Sequence, residues 1–171
     1  EIGLGIPAEP LFRSASSLVV NCSTTKCQII LTLSPSEESF VGGIVGDADN
    51  SHDAQSKIST CVNRTTITIN NMDYSWIYVG GIVGHADNTT ITVCKNNAVI
   101  NVKTDSGYTH LGGIAGITDK TIYNSYNTGN ITLQRNKYDS SNRGLNESHI
   151  VGGIVGSGNK INTCYNTGNL N

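Results

Sequence analysis

The sequence lacks most of the features that mark common function classes. Only 14% of its 171 residues are charged and the net charge is −2, whereas about a quarter is usual in soluble domains. No stripe of basic residues interleaved with aromatic ones is present, so nucleic acid is not an expected partner. No apolar run reaches the roughly 18 residues that a membrane-spanning helix needs. The His-Glu-x-x-His and Gly-x-Ser-x-Gly motifs are missing as well, and no cofactor is expected.

The residues that are plentiful are small and neutral. The chain contains 19 glycines, and Asn, Ser and Thr supply much of its polarity. Neutral polar side chains tolerate stacking on like side chains at strand spacing far better than charged ones do. The composition therefore favours a stacked β architecture.

A glycine-rich unit occurs four times and determines the predicted fold. Its copies lie at residues 41–46, 79–84, 111–116 and 151–156, so that they start 38, 32 and 40 residues apart. Periods of this length are typical of solenoids and propellers. The paired glycines allow a close backbone approach or a turn where a side chain would not fit. They are Gly42, Gly43, Gly80, Gly81, Gly112, Gly113, Gly152 and Gly153.

Two further segments follow each glycine unit. The first reads Ile-x-x-Cys or Ile-x-x-Ser at 58–61, 91–94, 122–125 and 161–164. The second is an alternating apolar segment that begins at Ile67, Ile100, Ile131 and Leu170. Alternation with a period of two indicates strands, and no helical periodicity is present. We predict an all-β fold, a right-handed parallel β-solenoid with about three short strands per rung.

The repeats divide the chain into three parts. Residues 41–171 hold four copies, at 41–78, 79–110, 111–150 and 151–171. Residues 18–40 form an incomplete first rung in which Cys22 aligns with Cys61, and residues 1–17 are an N-terminal cap or arm. Because the chain starts at Glu1 and finishes inside a predicted strand, we expect a processed or excised segment, or subunits that stack end to end.

These residues resemble the GLUG-type repeat of bacterial and protist surface proteins. Its units read roughly Gly-Gly-Ile-hydrophobic-Gly, then Ile-x-x-Cys-x-Asn-x-Gly-x-Ile, and the fourth copy matches this pattern most fully. The third copy has Ser125 in place of Cys, and the first two have Thr65 and Ala98 at the second-corner glycine. The resemblance covers residues 41–171. It implies a β-solenoid and a place among adhesins and large surface proteins, some of which carry separate peptidase domains.

The cysteines form a predicted column. Cys22, Cys61, Cys94 and Cys164 occupy the same position in successive rungs, with Ser125 between the last two. Rungs about 4.8 Å apart allow a disulfide, but buried free thiols also make good core residues. The sequence is compatible with a disulfide and with stacked free thiols. Since the chain has five cysteines, one thiol stays free or pairs outside the chain. No metal site is predicted.

Acidic residues recur after the glycine unit. Asp49, Asp87 and Asp119 occupy matching positions, with Asn159 in the fourth copy. Such a column is compatible with a calcium ladder, with a paired-carboxylate hydrolase that uses Asp47, Asp49 and Asp87, or with a repeated Asx-turn. One carboxylate per copy favours the Asx-turn. The histidines, His52, His85, His110 and His149, have no recurring partner in the sequence and are expected on the surface.

Surface chemistry is suggested by sequons and aromatic residues. The sequons lie at Asn21, Asn63, Asn88, Asn130 and Asn146, and those at Asn63, Asn88 and Asn146 fall at predicted corners. A chain rich in Asn, Ser and Thr contains sequons by chance, so they are compatible with secretion without establishing it. Tyr74, Trp76 and Tyr78 alternate on one face of a predicted strand. They form a contact stripe if that face is outward, and core if it is inward.

Together these features predict a structural or interaction protein that is not an enzyme. We expect a secreted or cell-surface scaffold, adhesin segment or filament subunit. Its expected partners are copies of itself stacked head to tail, neighbouring repeats of a longer chain, or cell-surface glycans. A carbohydrate-binding module is the alternative, and a polysaccharide-cleaving enzyme is the third.

Overall fold

A computed structural model describes residues 18–25, 27–33, 38–49, 56–71, 76–104, 107–135 and 148–171. The predicted cap or arm at 1–17 lies outside these residues. In chain order the strands are β1 Leu18–Val20, β2 Gln28–Leu33, β3 Ser39–Gly42, β4 Val45–Asp49, β5 Ser56–Ser59, β6 Val62–Asn63, β7 Thr66–Asn71, β8 Trp76–Gly80, β9 Val83–Asp87, β10 Thr89–Thr92, β11 Lys95–Asn96, β12 Ile100–Thr104, β13 Tyr108–Gly112, β14 Ala115–Thr118, β15 Ile122–Tyr123, β16 Tyr126–Asn127, β17 Ile131–Arg135, β18 Ser148–Gly152, β19 Val155–Gly158, β20 Ile161–Asn162 and β21 Tyr165–Asn166.

The strands form five sheets, which we name A to E. Sheet A contains β1, β5, β10, β15 and β20; sheet B contains β6, β11, β16 and β21; sheet C contains β2, β7, β12 and β17; sheet D contains β3, β8, β13 and β18; and sheet E contains β4, β9, β14 and β19. Every pairing is parallel and joins equivalent strands of successive rungs. This confirms the predicted parallel β-solenoid, and the described residues contain no helix that could cross a membrane.

The number of strands per rung was predicted wrongly. A complete rung passes through sheets D, E, A, B and C, which makes five strands rather than three. The glycine unit is split in two, because β3 of sheet D ends at Gly42 and β4 of sheet E begins at Val45. The Ile-x-x-Cys-x-Asn segment is split as well, since the chain turns just before each Cys. Period-two alternation indicates a strand but does not show where the chain changes direction.

The register stacks like residues on like residues. Val41, Val79, Leu111 and Val151 form one column in sheet D. In sheet A, Val19 pairs with Ile58, and the column continues through Ile91, Ile122 and Ile161. The register is the same in the strands before and after residues 136–147, Ile131–Arg135 and Ser148–Gly152.

The core is divided into two clusters. One lies between sheets A and E and includes Ile58, Ile91 and Val83. The other lies between sheets C and D and includes Ile67 and Val79. Burial of these side chains, most of them fully inaccessible, is the main favourable term in the stability of the rungs. Sheets D and E each turn one face towards a different core cluster. Their opposite faces therefore meet each other.

Glycine makes this contact between sheets D and E possible. A Cβ on Gly84 would lie 2.5 Å from Val41 N and 2.9 Å from Phe40 C, both of them backbone atoms. Gly43 comes against the side chain of Asn63 in sheet B. The glycine corner therefore projects into the interior of the rung. Outward-facing side chains of sheets D and E meet across it, as Phe40 and His85 do with ring centroids 5.0 Å apart, and we name this region the cleft.

The corner between sheets A and B has an unusual backbone. The residue before each Cys or Ser of the cysteine column has a positive φ: 56° at Asn21, 57° at Thr60, 54° at Val93, 45° at Asn124 and 54° at Thr163. The left-handed region suits Asn but is unfavourable for β-branched residues. Three of the five corners therefore hold a strained residue, and the strain is imposed by the turn of the solenoid.

Candidate functional site

Aromatic side chains fill the cleft between sheets D and E. In sheet D, Phe40, Tyr78 and His110 form one outward column, while Trp76 and Tyr108 form the neighbouring one. The Phe40 and Tyr78 ring centroids are 5.2 Å apart, Tyr78 and His110 are 5.3 Å apart, and Trp76 and Tyr108 are 4.2 Å apart. Such pairs add to the stabilisation from burial alone.

Sheet E contributes a histidine and an aspartate to the same cleft. The Nδ1 atom of His85 lies 2.8 Å from Asp47 Oδ1, and the His85 ring stacks on Phe40 at 5.0 Å. Burial acts to lower the pKa of His85, but its hydrogen bond to Asp47 and the charges of Asp47, Asp49 and Asp87 outweigh burial and raise it. The pair was not predicted. Asp47 and His85 each lie six residues after the first residue of their glycine unit, so alignment of the repeats reveals that they are neighbours.

His110 is in a different environment from His85. Burial lowers its pKa, and its Nδ1 atom is buried without a hydrogen-bond partner. The expectation that the histidines are plain surface residues is therefore wrong for His85 and His110, which are both half-buried. His149 is half-buried too, and His52 lies outside the described residues.

A pocket of about 350 Å³ opens on sheet E beside His85. It is lined by residues of three successive rungs: His85, Ala86 and Asp87, then Ile117, Thr118 and Asp119, then Ser157, Gly158 and Asn159. It offers carboxylate and amide oxygens as acceptors, and a hydroxyl, an amide and an imidazole as donors. Among the described residues, no group of three or more His, Cys, Asp or Glu side chains is placed to hold a metal ion.

The described hydrogen bonds of Asp119 and Asn159 run between rungs, where we predicted a repeated Asx-turn. The Oδ1 atom of Asp119 accepts a hydrogen bond from the backbone N–H of Asn88 at 2.7 Å, one rung away. The Nδ2 atom of Asn159 donates to the Asp119 carbonyl at 2.8 Å. A local turn bond of the i to i+2 type is seen at Asp47, whose Oδ1 accepts from the Asp49 N–H at 3.1 Å. These side chains link rungs because neighbours in register are as close as neighbours in sequence.

The predicted contact stripe is partly exposed. Trp76 and Tyr78 point away from the core, opposite to Ile77 and Val79, which are both fully buried. Trp76 is 42% exposed, whereas Tyr78 is only 8% exposed because the neighbouring rings cover it. Tyr74 lies outside the described residues. Since Trp76 and Tyr108 stack on each other, each covers one face of the other ring.

The cysteine column is built of free thiols. Cys22, Cys61, Cys94 and Cys164 follow one another at the corner between sheets A and B, and Cys27 is an exposed thiol outside the column. Burial raises the pKa of Cys94 to about 12 and also raises that of Cys61. These two thiols stay protonated near neutral pH and are poor nucleophiles.

A buried ladder of asparagines runs beside the thiols along sheet B. The Nδ2 atoms of Asn63, Asn96 and Asn127 donate to the Oδ1 atoms of Asn96, Asn127 and Asn166 at 2.8, 2.7 and 2.7 Å. Each Nδ2 also donates to the carbonyl two residues onward, as Asn96 does to Ala98 at 2.9 Å. Thr24 replaces asparagine in the first rung and donates to Asn63 Oδ1 at 2.9 Å.

The ladder bears on one predicted glycosylation site. Asn63 is fully buried and its Nδ2 atom makes two hydrogen bonds, so a glycan there is incompatible with this fold. Asn21 and Asn130 are exposed, Asn88 is half-buried, and Asn146 lies outside the described residues. Those four stay predicted acceptors.

Comparisons with protein-family models, curated proteins and solved structures gave no match. The resemblance to the GLUG-type repeat therefore stays a prediction that rests on the repeated motifs of residues 41–171.

Proposed function

We propose that this chain is a non-catalytic, extracellular structural or adhesion module whose rungs stack head to tail with those of another copy. The observation that carries the proposal is the asparagine ladder, in which each rung presents hydrogen-bonding groups to the next. This arrangement extends in one direction by simple addition of rungs. A heterologous contact of this kind does not close, and so it builds filaments.

The described rungs at the two ends have matching residues. In the fourth rung Ile161, Tyr165 and Leu170 are 47%, 54% and 48% exposed. By the register that holds within the chain, Val19 of a second copy comes against Ile161 and Ile29 comes against Leu170. Thr24 of that copy comes against Asn166, whose Nδ2 atom donates to Gly168 O and has a second hydrogen to offer.

Assembly is tested by light scattering and negative-stain imaging of the full chain at high concentration. We expect filaments or a concentration-dependent mass, and we expect Ile161→Lys to reduce both. Ile30→Lys is the matched control, because Ile30 is 61% exposed but lies on the side of the solenoid in sheet C. Monodisperse monomer of the unaltered chain, or equal effects of the two substitutions, would contradict the proposal.

The second candidate function is carbohydrate binding at the cleft between sheets D and E. Its support is the exposed Trp76 beside Tyr108 and the pocket beside His85. Sites for small ligands commonly combine aromatic rings with a few placed polar groups. A printed glycan array tests this candidate, and loss of all array signals in Trp76→Ala is expected only if the aromatic pair contributes to recognition.

A further inference from the structure

The pocket on sheet E is lined by side chains that do not repeat. At the position of His85 the four rungs hold Asp47, His85, Ile117 and Ser157. In contrast, the core columns repeat aliphatic residues, mostly Val and Ile, and the ladder repeats Asn. Stacking of rungs requires only the repeating columns, so the fold does not require a particular residue at these positions. Side chains that the scaffold leaves free to vary are where a binding site is built.

The charges in the pocket are largely compensated. Asp47 pairs with His85, and Asp119 Oδ2 lies 3.1 Å from Lys120 Nζ. Asp87 has no basic partner within ion-pair distance among the described residues, and its carboxyl group lies against that of Asp119. A pocket that spreads carboxylates, a hydroxyl, an amide and an imidazole over three rungs suits a neutral ligand that both donates and accepts hydrogen bonds. Hydroxyl groups do both.

Two of the polar groups already make hydrogen bonds within the protein. The His85 ring is stacked on Phe40 at an interplanar angle of 27° and bonded to Asp47 through Nδ1, which leaves Nε2 as the ring nitrogen for a ligand. The Asn159 amide is anchored by its Nδ2 bond to the Asp119 carbonyl, which leaves Oδ1 as an acceptor. Groups fixed before binding lose little conformational entropy when a ligand arrives.

We propose that this pocket binds one saccharide unit of a glycan, with the Asp87 carboxylate accepting hydrogen bonds from its hydroxyl groups and His85, Ser157 and Asn159 completing the polar contacts. The inference rests on the second candidate function and assigns it a site. The volume of about 350 Å³ falls within the range of small-ligand sites, roughly 300 to 1,000 Å³. The expected ligand is a neutral saccharide, so its binding should change little with ionic strength.

The test uses the full chain on a printed array of defined glycans, followed by titration calorimetry with the glycan that gives the strongest signal. Asp87→Asn keeps the shape of the side chain and removes the carboxylate. Asp49→Asn is the matched control, because Asp49 occupies the same column one rung away, outside the pocket. We expect Asp87→Asn to weaken binding by at least about fivefold and Asp49→Asn by less than about twofold.

The outcomes separate this inference from the candidate function. Array binding that disappears in Trp76→Ala but is unchanged in Asp87→Asn and in the pocket-filling Ser157→Tyr keeps carbohydrate binding and overturns the pocket. Absence of any array signal from the unaltered, folded chain overturns both. An affinity that falls steeply between 50 and 500 mM salt identifies a cationic ligand and also overturns the saccharide assignment.

Discussion

Two regions on either side of the glycine corner follow opposite rules. On the inner side, the asparagine ladder of sheet B repeats one residue from Asn63 to Asn166 and satisfies its buried amides by bonds between rungs. On the outer side, the cleft between sheets D and E changes at each rung, as in Phe40, Tyr78 and His110. The ladder can be explained by stability alone. The cleft cannot, because other residues would stack there equally well, and this difference is our reason for placing function in the cleft.

Breaking the ladder should have the largest effect. Asn96→Ala removes the partner of Asn63 Nδ2, Asn127 Oδ1 and the Ala98 backbone, all buried. Several unsatisfied buried groups should lower the free energy of unfolding by about 3–5 kcal/mol. Urea denaturation followed by circular dichroism measures the loss.

The neighbouring Asn97→Ala is the control for the ladder. Asn97 Oδ1 accepts a single exposed hydrogen bond, from Thr128 Oγ1 at 2.9 Å. Its loss should cost less than about 1 kcal/mol. Equal losses of unfolding free energy for Asn96→Ala and Asn97→Ala would show that the ladder does not stabilise the fold more than an exposed hydrogen bond does.

Separating the two sheets of the cleft should have the next largest effect. In Gly84→Ala the new methyl group would lie 2.5 Å from Val41 N and 2.7 Å from Gly46 O. Backbone atoms cannot rotate away, so sheets D and E must move apart, at a cost of about 2–3 kcal/mol. In the control Gly158→Ala, the nearest atoms are side-chain methyl groups at 3.2 Å. A thermal melt that shows the same shift for both substitutions would contradict the close contact of D and E.

The two cleft histidines should give opposite pH dependences. The pKa of His85 is raised by Asp47, so its stabilising contribution is complete below the unfolded value of about 6.5 and is lost as the pH rises through the folded pKa. The pKa of His110 is lowered by burial, so its protonation destabilises the fold as the pH falls below about 6.5. His85→Gln should therefore lower the free energy of unfolding more at pH 5.5 than at pH 8.5. His110→Gln should lower it less at pH 5.5 than at pH 8.5.

Urea denaturation of both variants across this pH range, with NMR titration of the imidazole protons, checks the sign of each effect. Asp49 and Asp87 also face His85. The variant Asp47→Asn should lower the His85 pKa more than Asp49→Asn does, because Asp47 alone is hydrogen-bonded to the ring. A His85 pKa below about 6.5 in the unaltered chain would contradict the ion pair.

The sequence was sufficient for the parallel β-solenoid, but not for its five strands per rung, and only partly for the site. Repetition of Ile58, Ile91 and Ile122 at one offset from Cys or Ser indicated stacked parallel strands, and the register has that alignment. The reversal at Gly42 was missed, because a glycine pair permits both a straight close approach and a turn. Asp47 and His85 are 38 residues apart, and only the alignment of repeats makes them neighbours. Local motifs give no sign of such pairs.

Substitutions at the corner between sheets A and B should have the smallest effect on stability, and they allow two rungs to be compared. Val93 has a φ of 54° and is 51% exposed, so Val93→Asn relieves a β-branched residue in the left-handed region while losing little burial. The free energy of unfolding should rise by about 0.5–1 kcal/mol. Asn124 occupies the same corner in the next rung, with a φ of 45°. Asn124→Val should lower the free energy of unfolding by a similar amount. Urea denaturation measures both, and two changes of the same sign would show that the backbone of this corner does not determine which residue it holds.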